Sequence, residues 1–281
     1  MSVAVASATT MLFVPGDRPE RFLKAADSGA DVVIIDLEDA VHAERKAEAR
    51  GNAVTALSGG AATSIKALLR VNGTKSPWFA ADLEAVHVIL AMQECGLLGI
   101  MLPKAESSSE LTSVRAALPE SMALVPLIES ALGIVRSFEI ATTPGVTRMA
   151  FGAVDYALDV GATDEGGALS YARSALVNAS RAAGIHAPVD SPPTAIKDGA
   201  LIDAAASRGR QFGFTGALCI HPVQVERIRA AHFPRQADID WARTVVAVAP
   251  AGAAQVNGEM IDRPVMDRAR RILEKAGLNV Q

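Results

Sequence analysis

The feature that most constrains the fold is a rhythm. Short apolar runs rich in β-branched residues recur every 20–40 residues or so, at 11–14, 31–37, 65–71, 99–103, 123–128, 148–154, 186–190 and 217–220. Most are apolar throughout rather than alternating, as parallel strands covered on both faces must be. Between them, segments such as 18–30, 81–95 and 108–117 carry apolar residues at helical spacing, with small residues or Gly near their ends. Strand and helix therefore alternate in βα units, and eight such units predict an α/β fold of the TIM (β/α)8 barrel type. An open parallel sheet is the alternative built from the same units. After the eighth run, 223–231 and 237–248 read as helices, followed by a Gly/Ala-rich turn and an amphipathic helix at 263–275. That tail exceeds what closing a barrel requires. The expected organisation is a catalytic barrel over 1–235 and a C-terminal helical extension over 236–281.

Composition narrows the partners. A chain of 281 residues with a formal net charge of −4 lacks the basic surface that nucleic acid demands. Cys95 and Cys219 show no C-x-x-C spacing, so neither a zinc site nor a disulfide framework is expected, and a reducing cytoplasm fits. Residues 1–16 have no basic n-region and run into a core strand, so no export is expected. The apolar run from Val245 is broken by Pro250 and Gly252, and no stretch reaches the length of a membrane span. With neither a dinucleotide fingerprint nor a P-loop, nucleotide cofactors lose support.

Against that strand map, charged residues gather where the apolar runs end, the face on which barrel enzymes place their chemistry. Run two ends in Asp36-Leu37-Glu38-Asp39, run three in Arg70-Val71-Asn72, run five in Glu129-Ser130, run six in Asp155 and run eight in His221-Pro222. Carboxylates aimed into one cavity repel each other and resist desolvation unless a cation neutralises them. Glu129 and Asp155, one βα unit apart, are the candidate ligands. Two hard oxygen ligands suit Mg²⁺, with Mn²⁺ an open substitute, because such an ion keeps several waters that a substrate can displace. Zinc is disfavoured, since no His or Cys accompanies the pair. Asp155 could instead cap a helix.

Arg70 is the candidate to hold a substrate carboxylate or a developing negative charge, with a salt bridge to Asp36 or Glu38 as its structural alternative. Asp36 and Glu38 complete the catalytic set, ordering Arg70 and metal-bound waters. In the turn Pro15-Gly16-Asp17-Arg18-Pro19, Gly16 and Arg18 are candidate substrate contacts, as Glu129 is through the metal. His221 stays outside the catalytic set, because a lone His at a strand end is as often structural.

Taken in order, Leu12-Phe13-Val14-Pro15-Gly16-Asp17-Arg18-Pro19-Glu20-Arg21, Asp36-Leu37-Glu38-Asp39-Ala40-Val41, Leu69-Arg70-Val71-Asn72-Gly73, Leu127-Ile128-Glu129-Ser130, Phe151-Gly152-Ala153-Val154-Asp155 and Ile220-His221-Pro222 resemble the citrate lyase beta-subunit-like proteins of the HpcH/HpaI aldolase superfamily. Gly258-Glu259-Met260-Ile261-Asp262-Arg263-Pro264 is similar to that family's C-terminal motif. The resemblance implies a homo-oligomer, trimeric or hexameric, whose C-terminal segment reaches a neighbouring subunit's site. By position it assigns Asp262 to proton handling at the acetyl carbon of a CoA thioester, while the bland reading of Asp262 is a helix cap.

The implied reaction is a reversible, Mg²⁺-dependent Claisen-type cleavage of a malyl-, citramalyl- or citryl-CoA-like thioester into an acyl thioester and a 2-oxo acid. Two rivals share the machinery. One is a class II pyruvate aldolase acting without CoA; the other is a beta subunit active only with an acyl carrier protein. One departure stands out, since many relatives carry Lys where this chain has Ala217 after Gly216.

Overall fold

The computed structural model describes residues 3–59, 65–92, 94–163, 167–248, 254–256 and 259–278. Eight parallel strands close into a barrel in sequence order: β1 (Thr10–Pro15), β2 (Val32–Asp36), β3 (Ala67–Arg70), β4 (Leu97–Leu102), β5 (Ala123–Ile128), β6 (Arg148–Phe151), β7 (His186–Asp190) and β8 (Gly216–Cys219). The ring is completed by β8 pairing with β1, Met11 opposite Leu218, so the open-sheet alternative is excluded. No helix among the described residues is long and apolar enough to cross a membrane.

The helices of the barrel unit are α1 (Val3–Ser7), α2 (Phe22–Ala26), α3 (Lys46–Leu57), α4 (Phe79–Leu90), α5 (Ser108–Ala116), α6 (Ala131–Val135), α7 (Ser137–Ala141), α8 (Ala153–Val160), α9 (Ser170–Ala183), α10 (Gly199–Phe212) and α11 (Val223–His232). Three sequence readings shift. The expected helix at 18–30 is a 3-10 turn at Pro19–Arg21 followed by the short α2. The helix read at 81–95 begins at Phe79 and ends at Leu90. The sixth strand stops at Phe151 rather than 154, because Gly152 turns the chain (φ −102°, ψ 81°) and α8 starts at the next residue.

Strand periodicity decides which side chains enter the barrel. Val32 and Ile34, Leu68, Met101, Val125 and Leu127, Ala150, Val189 and Leu218 share one inner cluster. Their intervening neighbours Val33, Ile35 and Leu69 are equally buried, under the helices, which is why the runs do not alternate. At the N-terminal end Val5 and Ala8 join the same cluster. Arg148, on the inward parity of Ala150, reaches back to the carbonyls of Val5, Ala6 and Ala8.

The chain divides into two compact units, up to Arg229 and from Ala230 onward. The second contains α12 (Gln236–Val248), an antiparallel hairpin of β9 (Ala254–Val256) and β10 (Glu259–Ile261), and α13 (Arg263–Lys275). Ile239, Ala242, Val245, Ile261, Ala269 and Leu273 form its apolar core. Gly258 of the C-terminal motif lies outside the described residues.

Candidate active site

Inward parity carries on past the apolar core to the strand ends. Asp36 follows Val32 and Ile34, Arg70 follows Leu68, and Glu129 follows Val125 and Leu127, so all three turn into the C-terminal mouth of the barrel. Asp36 and Arg70 are direct partners in the β2–β3 register. The register pair becomes a bidentate ion pair: Arg70 Nε donates to Asp36 Oδ1 at 2.7 Å and Nη2 to Oδ2 at 2.6 Å. Asp36 also accepts the N–H groups of Glu38 and Ala40 at 2.9 and 3.1 Å. The guanidinium stacks 4.6 Å from the centre of the inward Phe13 ring. Arg70 Nη1 lies 2.9 Å from Glu38 Oε2. Burial opposes the charge on Arg70, but Asp36 and Glu38 outweigh it and hold the guanidinium protonated. The structural alternative read for Arg70 is thus the observed state, with both Asp36 and Glu38.

A cavity of about 590 Å³ opens over this pair, lined among others by Glu38, Asp39, Lys104, Glu129, Asp155 and Asp159. Arg70 and Asp36 are not in its lining. Glu129 is 4% exposed, and its Oε1 accepts the Lys104 main-chain N–H at 2.8 Å. No donor among the described residues meets its Oε2. Burial foremost, then the negative charges of Glu38 and Asp155, push the Glu129 carboxyl up to about 8, against the Lys104 N–H and Arg70. Glu38 is raised for the same leading reason, burial, which the nearby Arg70 and Lys104 only partly offset.

Asp155 stands at the third position of α8, not at a strand end. It faces the same cavity as Glu129, half-buried, and makes no capping hydrogen bond. Two carboxylates in one cavity, one with an oxygen that no protein donor meets, suit a hard cation that completes its shell with water and ligand. Among the described residues no group of three or more His, Cys, Asp or Glu is placed to hold a metal, so Glu129 and Asp155 stand as a pair and not as part of a larger cluster.

The other expected contacts lie elsewhere. Gly16 is buried, and its N–H donates to the Asp36 carbonyl at 2.8 Å; it is not presented to an anion. A side chain at 16 would meet that carbonyl at 2.9 Å, so close packing of β1 on β2 accounts for this Gly. Arg18 is half exposed beside Asp17, and neither Gly16 nor Arg18 lines the cavity. His221 accepts the Val223 N–H at 3.2 Å and is exposed. Ala217 is 2% exposed and sits between inward parities, under the helix layer and outside the cavity lining. Asp262 caps α13 through the Val265 N–H at 3.1 Å and is exposed within its own unit.

Two lysines were not anticipated. Lys104 directly follows the fourth apolar run, much as Arg70 stands at the end of the third, so the strand-end rule extended to that run would have found it. Its Nζ lies 2.7 Å from Glu38 Oε1. Lys46 carries no such signal: it is delivered by α3, and its buried ammonium binds the carbonyls of Leu37 and Glu38 and the Asn72 side chain.

Comparison with known proteins finds relatives along nearly the whole chain. Residues 9–222 match the family model described as HpcH/HpaI aldolase/citrate lyase. A citrate lyase subunit beta-like protein of Deinococcus radiodurans is 35% identical over 97% of this chain and 99% of its own length. A (3S)-malyl-CoA thioesterase of Cereibacter sphaeroides is 32% identical, covering 95% of this chain and 94% of that one. Among solved structures, protein CitE of Mycobacterium tuberculosis in complex with magnesium, acetoacetate and coenzyme A superimposes with a TM-score of 0.83 at 32% identity, over 97% of this chain and 99% of that one.

Proposed function

Because this chain belongs to the HpcH/HpaI aldolase/citrate lyase family, we propose that it is a Mg²⁺-dependent carbon–carbon lyase acting on a 3-hydroxy-3-carboxyacyl thioester of the malyl-, citramalyl- or citryl-CoA kind. The observation that carries the reading is Glu129. It is a buried carboxyl with one oxygen pinned by a main-chain N–H and the other facing a cavity that Asp155 shares. The magnesium, acetoacetate and coenzyme A bound by the CitE relative support the same cofactor and ligand class here.

Glu129 and Asp155 would hold the ion, which when bound supplies Lewis-acid stabilisation to the substrate oxygen that becomes the ketone. Cleavage breaks the bond between the carbinol carbon and the carbon next to the thioester, sending its electron pair into a thioester enolate. The hydroxyl proton must leave at the same time. Glu38 lines the cavity with a carboxyl raised by burial, and is the group of this chain suited to accept that proton. Asp36 keeps Arg70 extended behind Glu38, where its guanidinium, 2.9 Å from Glu38 Oε2 and outside the cavity lining, orients that carboxyl. Asp262 would deliver the proton to the enolate carbon. Within the assembly the family resemblance implies, a homo-oligomer, it would act from the 236–281 extension of a neighbouring subunit.

The test is a panel of 3-hydroxyacyl-CoA thioesters incubated with purified protein, with and without Mg²⁺, reading out the 2-oxo acid. Metal-dependent release from one member is expected. Proton exchange into pyruvate without any CoA compound would favour the aldolase instead, and activity only after an acyl carrier protein is added would favour the subunit reading.

A further inference from the structure

Helix α8 carries Asp155 at its third position, and the start of that helix is built under a constraint. A helix leaves its first N–H groups without an acceptor, and a Ser, Thr, Asp or Asn just before it normally supplies one. Here the preceding residue is Gly152, which makes no side-chain cap. A capping side chain could not stand there: a Cβ on 152 would lie 2.6 Å from Glu129 Cβ, inside the space of the other proposed ligand. The acceptor comes instead from 38 residues along the chain, where the Ser191 hydroxyl, just past the end of β7, accepts the Ala153 N–H at 3.1 Å. Ala153 is buried, so water is a poor substitute for that hydroxyl.

Ser191 is itself held on both sides. Its N–H donates to Asp190 Oδ1 at 2.9 Å, and Asp190 is paired with the buried Arg173 guanidinium, Nε to Oδ2 at 3.2 Å. The loop that follows is clamped by the fully buried Gln224. Its Nε2 donates to the carbonyls of Pro193 and Ala195 at 2.7 and 2.9 Å, while its Oε1 accepts the N–H groups of Ile220 and His221. Farther along α8, Asp159 Oδ2 accepts the Ala131 N–H at 2.7 Å, at the start of α6 and two residues after Glu129. Asp155 and Asp159 are one helical turn apart and both line the cavity with Glu129. α8 is thus pinned at its first N–H to the end of β7 and on its cavity face to the segment that bears Glu129, with Asp155 between the two pins.

We propose that Ser191 is a positioning residue of the metal site: its hydroxyl caps α8 in place of the side chain that position 152 cannot carry, and thereby fixes Asp155 opposite Glu129. The effect on the ion rests on the metal reading above; the cap does not. The test measures Mg²⁺ affinity by calorimetry for the wild type, Ser191→Ala, Ser191→Thr, Asp155→Asn and the double variant Ser191→Ala with Asp155→Asn. Hydrogen exchange of the 153–160 segment is followed in each without metal. Ser191→Ala should speed exchange across α8 by about fivefold, the scale of a lost cap, and weaken Mg²⁺ by about tenfold or more, the scale of a lost ligand-orienting contact. Ser191→Thr keeps the acceptor, and its extra methyl has room in the cavity of about 510 Å³ that Ser191 lines, so it should restore both. In the Asp155→Asn background, Ser191→Ala should change Mg²⁺ affinity by no more than about twofold, because the carboxylate it orients is gone. A destabilised fold would instead weaken both backgrounds alike. Unchanged exchange in Ser191→Ala would overturn the cap. Wild-type Mg²⁺ affinity in Ser191→Ala, or an equal loss with and without the Asp155 carboxylate, would overturn the positioning role. Where Asp155→Asn binds too weakly to measure, Ser191→Thr decides, and failure to restore affinity overturns that role. If Ser191→Ala does not fold, Ser191→Cys, whose thiol is a weak acceptor, takes its place under the same criteria. Asp155→Asn binding Mg²⁺ as tightly as the wild type would sink the metal reading and the positioning role with it, while faster α8 exchange in Ser191→Ala would still mark the cap.

Discussion

Glu129 packs so closely on Gly152 that a Cβ at 152 would lie 2.5 Å from Glu129 Oε2. Gly152 is on the inward parity of Ala150, one strand over from Glu129, so any side chain there enters the space the carboxylate occupies. Gly152→Ala should therefore displace Glu129 and weaken Mg²⁺ binding by about 10–100-fold, the scale seen when a ligand's support is disturbed. Calorimetric titration of Mg²⁺ reads this directly. An unchanged affinity would mean that Oε2 is not the oxygen that meets the ion.

The raised Glu129 carboxyl gives a pH signature without metal. Its folded value is about 8 and its ordinary value 4.5, so the folded state holds the proton more tightly. That contribution to stability is fully present below 4.5 and is lost as pH rises through 8. Metal-free wild type should lose melting temperature between pH 5 and pH 8 relative to Glu129→Gln, which has no carboxyl to ionise. Added Mg²⁺ should restore the wild type most at the alkaline end. Parallel pH profiles for wild type and Glu129→Gln in EDTA would show that burial does not raise this group.

Replacing either proposed ligand tests the metal claim from the side of turnover. Glu129→Ala and Asp155→Ala should each abolish Mg²⁺-dependent release of the 2-oxo acid from the responsive thioester, and EDTA should do the same to the wild type. Full activity surviving EDTA would end the assignment.

Asp262 separates proton handling from metal binding. Asp262→Asn keeps an acceptor for the α13 cap and should fold normally. It should suppress exchange of the acetyl protons with deuterated water while leaving Mg²⁺ affinity within error. If the carboxylate acts across subunits, mixing Asp262→Asn with Glu129→Gln under conditions that allow subunit exchange should restore part of the activity that each lacks alone. No recovery, with exchange confirmed by mass, would place Asp262 on its own chain's site or outside the mechanism.

At the other end of the barrel, Arg148 is fully buried with no carboxylate among the described residues beside it, and burial pulls its guanidinium down to about 10. It donates to the carbonyls of Val5, Ala6, Ala8 and Ala187 and to the Thr215 hydroxyl. Arg148→Met would strand several of these acceptors at about 1–3 kcal/mol each where no water can reach. The expected result is a melting temperature lower by several degrees with turnover per folded molecule unchanged, since the mouth is at the opposite end. Equal melting temperatures would show that the N-terminal segment does not depend on this residue.

The order of the strands, their depth in the core and the direction of the mouth were all legible in the linear chain. Eight apolar runs followed by charge can be read residue by residue, because strand periodicity is local: once Val32 and Ile34 face in, so does Asp36, and once Leu68 does, so does Arg70. Glu129 and the helices of the tail followed from the same local rules, whereas Asp155 reaches the mouth from the first turn of α8 and not from a strand end. Tertiary structure alone decided which charges were already satisfied. Arg70 could have met a substrate or a neighbour, and the β2–β3 register set Asp36 opposite it. Gly16 had an N–H to offer, and strand packing directed it to the Asp36 carbonyl. Lys46 came from a helix 26 residues before its partner Asn72. The division has a physical cause. Burial and side-chain direction depend on spacing along the chain, whereas the partner of a charge depends on which distant segments the closed ring brings within hydrogen-bonding range.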